Sequence, residues 1–194
     1  PMNRTLILAS TSAYRAALLR RLGRDFLQIA PDCDERALPG EPVAAQAQRL
    51  AAGKAASVAA RHSDALVLGS DQLAERDGQP VGKPGTHAAA RAQLAAASGR
   101  TLRFHTAWCL IDVASGQRWQ GCDLTSARLR MLDAASIERY LERERPYDCA
   151  GSFKSEGLGI ALFERIDSSD PTALIGLPLI AVAAALRAAG LDVP

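Results

Sequence analysis

Ala65-Leu66-Val67-Leu68-Gly69-Ser70-Asp71-Gln72 holds the clearest strand of the chain, four apolar residues and a glycine that run into three polar residues. A short, continuous apolar run bounded in this way is typical of a buried strand, which we place at Ala65–Gly69. Thr5–Ala9 is a second run of this type, and a polar turn and a helical pattern that stops at Gly23 follow it. This unit of strand, turn and helix is characteristic of an α/β fold.

The rest of the chain alternates between strand and helix patterns. Further strands are predicted over Phe26–Ala30, from Leu102 to near Asp112, from near Arg118 to Leu132, and over Ile160–Phe163. Helices are predicted over Val43–Arg61, from an N-cap at Thr86 to Ala97, from a cap at Asp133 to Glu144, and over Leu179–Ala189. Asp77-Gly78 and Ser115-Gly116 mark turns between antiparallel strands. We therefore expect a single α/β domain, residues 1–194, with two lobes, a mixed, twisted β-sheet flanked by helices, and a central cleft.

The composition excludes several classes of protein. With 48% hydrophobic and 23% charged residues, the chain is neither disordered nor fibrous. A net charge of +2 without a polybasic tract, together with only nine aromatic residues, argues against binding to nucleic acid. No run is long enough to span a membrane, and the cysteines form no CxxC pair, so we expect a cytoplasmic protein without a membrane or nucleic-acid partner.

Lysine is rare in this chain. Of its 23 basic residues, 20 are arginines and three are lysines, at Lys54, Lys83 and Lys154. One interpretation is that they are remnants of a codon bias that also explains the many alanines. The other is that each lies where a compact ammonium group is needed rather than a planar guanidinium.

Polar residues follow the first strand at the point where an anion could bind. Ser10-Thr11-Ser12 offers hydroxyls and free backbone N–H groups at a helix start, and Arg15 lies one turn further along. Helix N-termini favour negative charge, so this segment fits a phosphate. A purely structural N-cap explains the same serines equally well.

Carboxylates follow two other strands. Asp71 comes directly after the apolar run, and a carboxylate there is costly unless it meets a metal, a cation or a substrate. Asp34 and Glu35 follow the second strand and supply oxygen ligands of the kind that Mg²⁺ or Mn²⁺ prefers. A capping or turn role for Asp71 is the alternative.

The Gly-rich stretch Gly151-Ser-Phe-Lys-Ser-Glu-Gly-Leu-Gly159 is the third candidate. It matches neither a Walker A loop nor GxGxxG, and such a loop is more often just a turn. It nevertheless places Lys154 and Glu156 on one short segment. A carboxylate in that position can accept two N–H bonds from the edge of a guanine-like base.

Taken together, these segments resemble the Maf-like nucleoside triphosphate pyrophosphatases. The resemblance rests on Leu6–Ser12 with Arg15, Asp34-Glu35, Lys54-Ala55, Gly69–Gln72, Gly82-Lys83-Pro84, Cys149–Gly157 and Leu174–Pro178, in that order. It covers nearly the whole chain and implies a Maf/ITPase-like fold with a central nucleotide-binding cleft. Gly69-Ser-Asp-Gln72 and Ala150–Gly157 are similar to the YceF-type subgroup, which is associated with 7-methyl-GTP.

The resemblance implies a role for each matching residue. Asp71 would activate water and, with Glu35, hold the metal. The residues implied to bind substrate are Ser10, Arg15, Lys54, Lys83 and Lys154, and those implied to tune the choice of base are Tyr14, Gln72 and Glu156. The usual Ser-Pro-x-Arg-Arg of the family is Ser12-Ala-Tyr-Arg-Ala16 in this chain, which lacks the proline and the second arginine.

The implied reaction is hydrolysis of the α–β phosphoanhydride of 7-methyl-GTP, a small-molecule partner, to 7-methyl-GMP and pyrophosphate. A divalent cation, Mg²⁺, Mn²⁺ or Co²⁺, is the implied cofactor, and the family commonly forms homodimers. Two alternatives remain open: a dTTP/UTP-type pyrophosphatase of the same family, and a non-catalytic nucleotide sensor that regulates cell division and septum formation.

Overall fold

A computed structural model describes residues 4–194 of the protein. Within that range, seven strands and five α-helices are formed. The strands are β1 (Leu6–Ala9), β2 (Leu27–Ile29), β3 (Leu66–Arg76), β4 (Gln79–Val81), β5 (Thr101–Asp112), β6 (Arg118–Leu129) and β7 (Phe163–Asp167). The helices are α1 (Ala13–Arg20), α2 (Val43–Ala59), α3 (His87–Ala97), α4 (Ala134–Glu144) and α5 (Leu179–Ala188).

The strands form one mixed sheet in the order β2-β1-β3-β5-β6-β7, with β4 paired to β3. β1 is parallel to both neighbours, with Leu8 opposite Gln28 on β2 and Leu68 on β3. β3 and β4 are antiparallel, as are β6 and β7. The predicted α/β class with a mixed sheet and flanking helices is confirmed.

β1 and the first half of β3 are buried on both faces, which explains why they read as continuous apolar runs. Side chains alternate along a strand, so Leu6 and Leu8 of β1 face α1 and α5, whereas Ile7 and Ala9 face the side covered by α2. The same alternation holds in β3. Helices therefore cover both faces of β1 and of the first half of β3.

The N-caps proposed from the sequence are present in the structure. Ser12, Thr86 and Asp133 each accept a hydrogen bond from a backbone N–H in the first turn of the helix that follows. Both predicted turns between antiparallel strands are present, and Asp77 and Gly78 have φ values of 53° and 77°, as a tight hairpin requires. Among residues 4–194, no helix is long and apolar enough to cross a membrane.

Two strand predictions were wrong in extent. β3 does not end at Gly69 but continues to Arg76, because its second half pairs with β4 after the parallel pairing with β1 stops at Gly69. The strand predicted at Ile160–Phe163 is instead a 3₁₀ turn, Leu158–Leu162, and β7 begins at Phe163. The turn forms because Gly159 lacks a Cβ and can approach the Lys154 carbonyl closely.

The chain forms two compact units. The first contains the described residues up to Gln72, Thr106–Asp123 and Asp170–Pro194, and the second contains Leu73–His105 and Leu124–Ser169. In the second unit, Phe153 packs edge-on against Phe104 and Phe163, with ring centroids 5.4 and 4.6 Å away. The predicted cleft and the single-domain organisation stay predictions.

Gly69 allows α2 to lie directly against β3 in the first unit. A Cβ at this position would lie 2.6 Å from the Ala55 nitrogen and closer still to the Ala51 carbonyl oxygen. Both are backbone atoms of α2, so they cannot move out of the way without moving the helix. The lack of a side chain at Gly69 therefore sets the distance between α2 and β3.

Gly69→Ala is expected to lower the free energy of unfolding by about 2 kcal/mol or more, because the added methyl group overlaps helix backbone. Thermal unfolding followed by circular dichroism measures the effect. Gly53→Ala is the matched control: a Cβ there meets only the Cys33 Cβ at 3.8 Å. Alanine inside a helix is favoured over glycine, so this control should be neutral or slightly stabilising. Equal melting temperatures for the two variants would contradict the argument.

Candidate active site

Asp71 lies on β3, two residues beyond Gly69, where the parallel pairing with β1 ends. It is only 6% exposed. The prediction that it follows the end of its strand was wrong, because β3 continues past it; the parallel ladder, however, stops just before it. A buried carboxylate in this position needs a cation close by.

Lys54 supplies that cation. Its Nζ lies 2.6 Å from Asp71 Oδ1 and 3.0 Å from Glu35 Oε1, so one ammonium joins two carboxylates. Lys54 is 7% exposed, although it lies inside a helix of mostly small apolar residues. The close approach of α2 at Gly69 brings the ammonium to Asp71. Three residues proposed from separate segments of the sequence thus lie together in the first unit.

Ser10 and Arg15 lie after β1 in the same unit. Ser10 is buried, and its Oγ accepts hydrogen bonds from the Ser12 backbone N–H at 3.1 Å and from Arg15 Nη1 at 3.5 Å. Ser12 caps α1 by accepting from the Arg15 backbone N–H at 3.3 Å. The structural interpretation of Ser12 as an N-cap is therefore correct, and the phosphate role of Ser10 and Arg15 stays a prediction.

Arg15 lies in the electrostatic field of the two carboxylates. Burial lowers the pKa of its guanidinium below the usual value, and the charges of Asp71 and Glu35 act in the opposite direction. Its Nε donates a 3.0 Å hydrogen bond to the Gly176 carbonyl oxygen. Arg15 is therefore held in place by a backbone group rather than by a carboxylate contact.

Sequence reasoning gave no role to the segment Ala173–Gly176, which holds two predicted site residues, Arg15 and Gln72. The Gly176 carbonyl oxygen accepts from Arg15 and also from Ser70 Oγ at 3.2 Å. Gly176 has φ +132°, a conformation that favours glycine. The only signal was the presence of this segment among the stretches that resemble the family.

Gln72 is held by the same segment. Its Nε2 donates to the carbonyl oxygens of Ala173 and Leu174 at 2.9 and 3.1 Å and to Thr106 Oγ1 at 2.9 Å. The two carbonyl oxygens can only accept, so the amide nitrogen of Gln72 must face them. Any contact of Gln72 with a base would therefore use its Oε1 atom. Tyr14, the other predicted base contact of this unit, lies half-buried in the first turn of α1.

The remaining candidates lie on two loops of the second unit. Lys83 is exposed between β4 and α3, and Lys154 and Glu156 precede the turn at Leu158–Leu162. Within residues 4–194, the ammonium groups of Lys83 and Lys154 form no hydrogen bond or ion pair. Glu156 is exposed and has one weak contact, with Ser155 Oγ at 3.5 Å. These charged groups are thus free to meet a ligand.

The loop with Lys154 and Glu156 is braced by α4. The Lys154 backbone N–H donates to Tyr140 Oη at 3.0 Å, and the Leu158 N–H donates to Glu144 Oε2 at 2.7 Å. Burial raises the pKa of Tyr140 well above its usual value, so its hydroxyl stays protonated. The backbone on both sides of Glu156 is therefore fixed while its side chain projects from an exposed position.

Glu35 and Asp71 offer oxygen atoms of the kind that a divalent cation prefers, but they do not form a closed metal centre. No group of three or more histidine, cysteine, aspartate or glutamate side chains among residues 4–194 could hold an ion alone. Glu35 and Asp71, however, converge on one point, the Lys54 ammonium. Mg²⁺ is usually bound by one or two carboxylates together with substrate phosphates. Glu35 and Asp71 supply that number of carboxylates, and the point on which they converge is filled by the Lys54 ammonium.

The chain is similar to one protein family over nearly its whole length. The family model described as Maf-like protein matches residues 5–189. The "7-methyl-GTP pyrophosphatase" of Xanthomonas axonopodis pv. citri (strain 306) is 59% identical over 189 residues, which cover 97% of this chain and 98% of its own. That of Cupriavidus metallidurans is 54% identical, over 95% of this chain and 93% of its own. Among solved structures, the Ham1 protein of Staphylococcus aureus has a TM-score of 0.47 and 16% identity, over 65% of this chain and 72% of its own.

Proposed function

The chain belongs to the Maf-like protein family, and we propose that it is a nucleotide pyrophosphatase that converts 7-methyl-GTP and water to 7-methyl-GMP and pyrophosphate. The substrate is taken from relatives of that name, which are 54–59% identical over nearly the full length. The observation that supports a hydrolytic reaction is the buried Asp71 carboxylate, whose Oδ1 atom lies 2.6 Å from Lys54 Nζ. The free cysteines suit a reducing compartment, and we propose the cytoplasm.

In this proposal Asp71 accepts a proton from water while the water oxygen attacks the α-phosphorus. The bond from the α-phosphorus to the bridging oxygen breaks, and the electron pair leaves with pyrophosphate. Lys54 donates to one Asp71 oxygen and leaves the other able to accept the proton. The residues proposed to bind the triphosphate are Ser10, Arg15, Lys54, Lys83 and Lys154.

Glu35 and Asp71 are the proposed holders of a divalent cation, Mg²⁺, Mn²⁺ or Co²⁺. When bound, such an ion neutralises charge on phosphate oxygens. Arg15 contributes positive charge in the same unit without an ion-pair partner within residues 4–194. Its guanidinium is held by the Gly176 carbonyl and Ser10, so it would meet a phosphate without prior rearrangement.

A panel of nucleotides tests the proposal. Pyrophosphate release is measured for GTP, 7-methyl-GTP, UTP and dTTP with each of the three cations. We expect 7-methyl-GTP to be hydrolysed best. A preference for UTP or dTTP would support the other branch of the family, and equal rates for all four nucleotides would contradict the assignment of substrate.

Glu156 is proposed to accept from N1–H and N2–H₂ of the methylated guanine, with Tyr14 stacked on the positively charged ring. Glu156→Gln is expected to lower the ratio of kcat/KM for 7-methyl-GTP to that for UTP by about 30-fold, since hydrogen bonds to a charged group contribute about 2 kcal/mol. Glu164→Gln, an exposed glutamate paired with Arg128, is the control. An unchanged ratio in Glu156→Gln would remove this residue from base recognition.

A further inference from the structure

One side chain joins the two loops of the second unit that carry predicted substrate contacts. Gln93, on α3, donates from Nε2 to the Gly82 carbonyl oxygen at 3.1 Å, and its Oε1 accepts from Ser152 Oγ at 2.5 Å. Gly82 directly precedes Lys83, and Ser152 lies two residues before Lys154. We call residues 82–86 the phosphate-binding loop and residues 152–157 the base-reading loop. We propose that Gln93 is a positioning residue that couples these two loops; this rests on the function proposed above.

The loop with Lys83 is fixed at both of its ends. Gln93 holds the Gly82 carbonyl, and the Gly85 backbone N–H donates to the Tyr147 carbonyl oxygen at 2.9 Å. Thr86 then caps α3 by accepting from the Ala89 N–H at 3.2 Å. Lys83 itself stays exposed between these anchors, so the bonds determine where its backbone lies and leave the ammonium free.

The base-reading loop is held at Ser152. This residue is 0% exposed and has φ +63°, a left-handed conformation that is unfavourable for serine unless its surroundings hold it. Its hydroxyl donates to Gln93, and the next residue, Phe153, is buried in the aromatic cluster. Gln93 thus fixes the start of the segment that leads to Lys154 and Glu156.

The chemistry of both bonds calls for glutamine. The Gly82 carbonyl needs a hydrogen-bond donor, and the Ser152 hydroxyl donates to an acceptor. The side chain that joins them must therefore contain both a donor and an acceptor. Glutamate can only accept, and methionine, of similar length, provides neither a donor nor a strong acceptor. Gln93→Glu therefore keeps the bond to Ser152 alone, whereas Gln93→Met removes both bonds.

Steady-state kinetics of the full chain test the coupling. In Gln93→Met we expect KM for 7-methyl-GTP to rise about tenfold, and the preference for 7-methyl-GTP over GTP to fall about tenfold, with kcat changed by less than about threefold. Gln93→Glu should raise KM but retain the preference. Gln46→Met is the matched control, a half-buried helical glutamine whose side chain has no hydrogen bond within residues 4–194. KM and preference in Gln93→Met equal to those of the control would overturn the proposal.

A measurement without substrate separates this inference from the proposed function. Hydrogen–deuterium exchange of the amides in residues 82–86 and 152–157 should be faster in Gln93→Met than in the wild type and in Gln46→Met, in both segments. If the wild type hydrolyses no nucleotide, the proposed function fails and exchange still decides the coupling. Unchanged exchange, or faster exchange in one segment only, would overturn it.

Discussion

Asp71→Asn is expected to lower kcat for pyrophosphate release by about 10³-fold, because an amide cannot accept the proton of the attacking water. The affinity for the nucleotide, measured without a divalent cation, should not fall, since the substitution removes a negative charge close to where the triphosphate is proposed to bind. Single-turnover kinetics and equilibrium binding of 7-methyl-GTP measure the two quantities separately.

Asp64→Asn is the matched control for Asp71→Asn. Asp64 lies two residues before the start of β3 and is largely exposed. Its Oδ1 atom lies 3.4 Å from Arg4 Nε. The Asp64 side chain is 68% exposed and belongs to no part of the predicted site, so kcat should stay unchanged. Release within about tenfold of wild type in Asp71→Asn would contradict the catalytic role. An equal effect of Asp71→Asn and wild type on cell division would favour the nucleotide-sensing regulator.

Lys54→Met is expected to lower the free energy of unfolding by about 3 kcal/mol, because it leaves the Asp71 carboxylate buried without its cation. For a chain of this size, that corresponds to a fall in melting temperature of about 10 °C. Lys83→Met, which removes an exposed lysine without a partner within residues 4–194, is the control for stability and should melt like the wild type.

The double variant Lys54→Met/Asp71→Asn separates charge from packing. Asparagine removes the uncompensated charge, so we expect the double variant to regain about 1 to 2 kcal/mol relative to Lys54→Met. Thermal and urea unfolding of the four proteins complete the cycle. A double variant no more stable than Lys54→Met would show that the loss comes from packing of the lysine stem, and would contradict the electrostatic explanation.

Local patterns were enough to predict most of the fold. Features that are determined by residues close in sequence were predicted correctly. They are the apolar run at Leu66–Leu68, the caps at Thr86 and Asp133, and the hairpin at Asp77-Gly78. The errors arose where backbone geometry, rather than apolar content, decides where a strand begins or ends. β3 extends beyond its apolar run because β4 pairs with it, and that pairing leaves no period in the sequence of either strand.

The charged side chains of the site could be predicted from sequence, but the backbone groups that hold the site residues in place could not. Glu35, Lys54 and Asp71 could be proposed from sequence because carboxylates after strands and a rare lysine stand out. The carbonyls of Ala173 and Gly176 could not, since every residue has a backbone carbonyl and only the folded chain shows where it points. The hydrogen bonds of Gln93 were invisible for the same reason.

The three lysines differ in what surrounds them. Lys54 is buried, and its compact ammonium lies within 3.0 Å of two carboxylates, a geometry that a larger planar guanidinium would not reproduce. Lys83 and Lys154 have no such restriction and keep their ammonium groups without partners within residues 4–194. The structure thus argues against the interpretation of Lys54 as a remnant of a codon bias. For Lys83 and Lys154 that interpretation stays open.

The contact between α2 and β3 at Gly69 also bears on how such an enzyme could diversify. Asp71 and Lys54 stand on backbone that is packed too tightly to shift, whereas Glu156 stands on a loop held by a few side-chain hydrogen bonds. Substitutions in the loop can therefore change which base is accepted without disturbing the atoms that would cleave the phosphoanhydride. Selection could then exchange one nucleotide for another while the hydrolytic step is inherited intact.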